Sequence, residues 1–137
     1  MSGRADDGQV SAFVVVLLTG ILALAGLGLD GGLALAAKVR VTGQAESAAR
    51  AGAQAIDLGL YRATGRLRLV PAQADALVRG YLAGIGATGT VTVTGDTVTV
   101  TVTTTQPTQL LSLIGVRQIH AHGTGSAHPQ LGVTGEP

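Results

Sequence analysis

From Val10 to Leu29 the chain reads VSAFVVVLLTGILALAGLGL, without a single charge. A helix over these positions is about 30 Å long, the thickness of a bilayer's hydrocarbon core. It is apolar on every side and has no face to turn toward water. The remaining chain has too little apolar surface to bury such a helix, so the pattern predicts a membrane span over 10–29. A cleavable secretory signal is the rival reading, and Ala23 to Gly28 offers the small residues it needs. Such a signal also asks for a basic start and a shorter apolar run. The start here, MSGRADDGQ, sets Arg4 against Asp6 and Asp7, so a retained anchor is expected.

Helical spacing continues past the span. From Asp30 to about Leu58 there is no Pro, and Ala45, Ala48, Ala49, Gly52, Ala55 and Ile56 recur on one face. Glu46 and Arg50 stand opposite at i,i+4 spacing. The stripe consists of tiny side chains, and Gly28-x-x-x-Gly32-x-x-x-Ala36 carries it back toward the span. Small residues four apart let another backbone come close. That backbone is either the chain's own sheet or a partner helix, and Gly28, Gly32, Ala36, Ala45, Ala49 and Gly52 are the candidate packing residues. Asp30, at the rim of the span, is a candidate for pairing with a basic group of a partner subunit, or a headgroup-level carboxylate.

Further on, Leu67 to Val70 reads as a short extended segment and Pro71 as a helix start. Ala74, Leu77, Val78, Tyr81, Leu82 and Ile85 mark one face of that helix, which Gly84 and Gly86 end. Thr and Val then alternate over 90–94 and 97–103, around Gly95-Asp96. Gly first in a two-residue loop suits a type II′ hairpin turn, and pairs Val93 with Val98 and Val91 with Val100. A short helix is expected over 108–114, capped by Thr108 and ended by Gly115, and a third strand over 116–127 with Ile119 and Ala121 inward. The fold class is α+β: a span continuing into a long helix, then a small domain with a three-stranded antiparallel sheet and short helices. The expected boundaries are 1–9 tail, 10–29 span, 30–60 helix extension, 61–128 α+β domain and 129–137 flexible tail.

Composition narrows the function. Hydrophobic residues make up 46% but aromatics only 2%, so the core is built from small side chains. A net charge of +1, with basic residues scattered, gives nucleic acid no surface to bind. Cysteine is absent, which removes disulfides and thiolate metal sites. His120 and His122 share a strand face but have no third ligand nearby in sequence. No nucleophile, base or phosphate loop stands in its proper context, so no enzyme activity, cofactor, metal or small-molecule substrate is expected. The Thr-rich sheet or its edge keeps a second class open, a bitopic extracytoplasmic module that binds a cell-envelope ligand.

Three features occur together in order: Gly8 before the apolar run, Asp30 followed by Gly, and the helical QAESAARAGA from Gln44 to Ala53. Over roughly 8–55 the chain resembles the TadE/TadG-like proteins of the tight-adherence (Tad, or Flp) pilus assembly system, and its later part resembles actinobacterial members. The resemblance implies a pilin-like or minor assembly subunit of a pilus or related secretion apparatus, in contact with other subunits or further copies of itself. It also implies a single-pass membrane protein with residues 1–9 cytoplasmic and the C-terminal domain outside. Many pilins are cut after a Gly and carry Glu at the fifth mature position. Here that position is Phe13, so Met1 to Gly8 is expected to be retained, as in the TadG-like branch.

Overall fold

The structure is a computed structural model that describes residues 4–130. The expectations for Met1 to Gly3, and for the tail over 131–137, lie outside the described residues. The chain divides into two compact units, Met1–Leu35 with Gln106–Ile119, and Ala36–Thr105 with His120–Pro137.

The first unit contains most of the apolar run of helix α1 (Arg4–Gly52). Phe13, Val16, Leu22 and Leu24 all point outward, as an all-round apolar pattern demands when no protein covers it. By length and composition α1 is a helix able to cross a membrane. The second segment of this unit holds a 3-10 helix, Leu111–Ile114. The expected α-helix over 108–114 is therefore shorter and tighter. Thr108 does not cap it: its N–H donates to the Arg117 carbonyl at 3.0 Å and its hydroxyl to the Val116 carbonyl. Those two bonds close the loop at its neck and leave the cap to another residue.

The second unit is an α+β domain with sheet order β1-β2-β3, formed by β1 (Thr88–Thr94), β2 (Thr97–Pro107) and β3 (Gln118–Ala127). The hairpin has the expected register, Val93 opposite Val98 and Val91 opposite Val100. Gly95 has φ +58° while Asp96 stays negative, as a type II′ turn requires. Thr99 bonds Ser126 at 3.0 Å and Thr101 bonds Thr124 at 3.2 Å, which places β3 antiparallel to β2. Alternation then sends Val98, Val100, Val102 and Ala121 into the core and the Thr, Ser and His side chains to the other face.

Helix α3 (Pro71–Gly84) begins at the expected Pro71 and lays Ala74, Val78 and Leu82 over the sheet, against β1. The outer part of α1 adds Ala37, Val41, Ala45, Ala48 and Ala49 to the same core. Two boundaries differ from the sequence reading. The first helix ends at Gly52, not near Leu58, because Ala55 to Asp57 is extended: Val70 N–H donates to the Ala55 carbonyl at 2.8 Å and Asp57 N–H to the Arg68 carbonyl at 2.9 Å. The connector after it contains a short helix, α2 (Leu58–Thr64), whose N-cap Asp57 accepts from Leu60 N–H at 2.9 Å.

Candidate functional site

Asp30 follows directly on the uncharged run and is only 2% exposed. Its Oδ1 accepts the Gln109 N–H at 2.7 Å, and its Oδ2 accepts those of Leu110 at 2.9 Å and Leu111 at 2.6 Å. Leu111 opens the 3-10 helix, Leu110 is its N-cap residue and Gln109 precedes it, so these N–H groups have no partner within the helix itself. Burial pushes the Asp30 carboxyl up, but the three backbone donors outweigh it and hold it below the ordinary carboxylate value. Within its own chain, then, Asp30 is an N-cap reaching across the fold, and its acceptor capacity is largely used.

The six small candidate packing residues separate into two environments. Gly28 and Gly32 have open space where a side chain would stand, and Ala36 is exposed. Ala45 and Ala49, at 0% exposure, and buried Gly52 are covered by the chain's own domain. A Cβ on Gly52 would meet Val78 Cγ2 at 2.7 Å and Val98 Cγ1 at 3.0 Å. On the opposite wall, a Cβ on Gly123 would lie 2.5 Å from Thr42 Cα, and one on Gly125 2.5 Å from Glu46 Cα. The backbone of β3 thus lies directly on the backbone of α1, a contact that leaves no room for a side chain at Gly123 or Gly125. Sequence reasoning missed Gly123 and Gly125, although Ala121, Gly123, Gly125 and Ala127 alternate on the inward face of β3 and are all small.

Lys38 Nζ donates to the His122 carbonyl, a further tie between α1 and β3. His120 and His122 are exposed on either side of buried Ala121. Among the described residues no three His, Cys, Asp or Glu side chains converge as a metal site would need. The groove beside Ala121 is lined by Arg40, Gln44 and Thr104 among others, with no carboxylate on its walls.

Together these elements define a class of protein: one outward-facing apolar helix of bilayer length, and a small α+β domain built on tiny side chains. Residues 8–55 match the family described as Tad, putative Flp pilus-assembly TadE/G-like. That family is a component of pilus assembly, not an enzyme family. No curated protein and no solved structure matches the chain.

Proposed function

We propose that this chain is a membrane-anchored pilin-like or minor assembly subunit of a Tad/Flp-type pilus or related secretion apparatus, working through protein contacts and without catalysis. The observation that carries this reading is that the segment matching the pilus-assembly family is also the helix whose apolar side chains are left uncovered. Apolar surface of that extent is stable only in lipid or against other helices. On this reading α1 crosses the membrane once over 10–29, with the N-terminus in the cytoplasm and the sheet domain outside. Gly28, Gly32 and Ala36 form the strip on which a neighbouring subunit packs, because the chain itself leaves them open.

Gly32→Leu tests the proposal. A Cβ there meets nothing within 4 Å in its own chain, so the domain is expected to fold, while a partner backbone is held off. Cross-linking in cells that build the pilus is expected to lose the adducts between this chain and other pilus subunits. Adducts that form equally with Gly32→Leu contradict the packing strip, and an absence of pilus-subunit adducts from the unaltered chain contradicts the proposed function.

A further inference from the structure

Leu110 rests on Gly26, where an added Cβ would meet Leu110 Cβ and Cδ1 at 3.1 Å. Gly26 belongs to the uncharged run and lies roughly 5 Å inside its end at Leu29. The loop that carries Leu110 therefore touches the helix at a level where the helix is apolar on every side. From this loop Leu113 and Ile114 are 82% and 75% exposed, and Leu110 and Val116 are exposed beside them. An uncovered apolar cluster of this kind marks a surface that meets another phase or partner.

Many of the loop's backbone N–H groups are paired internally. Asp30 takes three N–H groups, and Thr108 bonds the carbonyls of Arg117 and Val116. The amides of Leu113, Gly115 and Val116 donate to the carbonyls of Leu110, Ser112 and Leu111. Pairing of this kind lowers the cost of bringing an irregular backbone out of bulk water. No residue from Gln106 to Val116 is charged, and Arg117 follows at the exit, where a guanidinium suits a lipid phosphate.

We infer that the loop Thr108–Val116 is a second membrane-contacting element. Its four exposed apolar side chains occupy the headgroup–acyl boundary of the leaflet that α1 leaves at Leu29, and Asp30 is the positioning residue that holds it there. The inference rests on the reading of α1 as a bilayer anchor, and its lipid contact is continuous with that of the helix.

The chain has no cysteine, so single-site labels are clean. The full chain carrying Leu113→Cys, Leu22→Cys or Thr92→Cys is labelled with an environment-sensitive fluorophore in phosphatidylethanolamine–phosphatidylglycerol vesicles. The Leu113 probe is expected to emit to the blue of the Thr92 probe and to be quenched by lipids spin-labelled near the headgroup, not by aqueous iodide. Adding Asp30→Ala is expected to shift it back to the red. A Leu22 probe in lipid with a Leu113 probe open to iodide overturns the inference and leaves the anchor standing. A Leu113 probe shielded from both quenchers means that protein covers the loop, and also overturns it. A Leu22 probe open to iodide removes the anchor and the inference together. An unchanged Leu113 emission in the Asp30→Ala chain overturns the positioning role.

Discussion

Asp30 and Leu111 stand 81 positions apart, yet the carboxylate of one accepts the backbone N–H of the other at 2.6 Å. A charged side chain at the end of an apolar run is thereby turned to internal use: it closes the start of a 3-10 helix whose own residues have no capping side chain. Charge-assisted acceptance from several N–H groups is among the stronger hydrogen-bonding arrangements a protein can make.

The first prediction concerns that cap. Asp30→Asn keeps a neutral acceptor oxygen and Asp30→Ala keeps none. Amide hydrogen exchange at Gln109, Leu110 and Leu111, measured on the full chain in detergent, is expected to be slowest in the unaltered protein, faster with Asn and fastest with Ala. Equal protection in all three contradicts the cap.

Acid tests the same contact through its charge. The folded-state pKa of Asp30 is depressed, so its contribution is fully present above the ordinary carboxylate value and is lost as pH falls through the lower folded value. The amide resonances of Gln109 to Leu111 are expected to hold steady from neutral pH down through the ordinary carboxylate range and to move only in stronger acid. A transition at or above the ordinary value contradicts the depressed pKa.

The backbone contact between α1 and β3 predicts opposite outcomes for two Gly→Ala changes. Gly125→Ala brings a methyl against the Glu46 backbone, which has no flexible end to yield, and overpacking of this kind costs about 1–3 kcal/mol. Gly43→Ala lies on the same helix with open space around it and is expected to stabilise by about 0.5–1 kcal/mol through helix propensity. Denaturant unfolding of the full chain in detergent, followed by circular dichroism, reads both signs.

The amphipathic sheet gives another pair. Val100 is fully buried, and Val100→Thr introduces a hydroxyl without a partner at a cost of about 1–3 kcal/mol. Thr92→Val, on the exposed face, is expected to leave the unfolding midpoint within about 0.5 kcal/mol of the original. A similar loss at both positions contradicts the two-faced sheet.

What the sequence made legible was local. The period-two run around Gly95-Asp96 set the hairpin register, Pro71 set the start of α3, and the uncharged run set the outward-facing apolar part of α1. The misses depended on residues far along the chain. The spacing of Ala55 and Ile56 continues a helical face, but Ile56 leaves the helix to bridge Leu69, and no local pattern marks that exchange. From the sequence Asp30 reads as a headgroup-level carboxylate or as a partner for a basic group of another subunit, because its donors lie 79 to 81 positions downstream. The small-residue stripe was visible throughout, but its division was not. Ala45, Ala49 and Gly52 are taken up by the chain's own domain, so Ala49→Leu disrupts the fold itself and does not report on assembly. Short α2 had a signal in Asp57 and Gly65 at its two ends.

Alkaline carbonate extraction of membranes holding the full chain tests the central claim most directly. Carbonate strips peripheral proteins and leaves spanning helices in place. The account predicts that the protein stays in the membrane pellet and is released only by detergent. Recovery in the carbonate supernatant contradicts it.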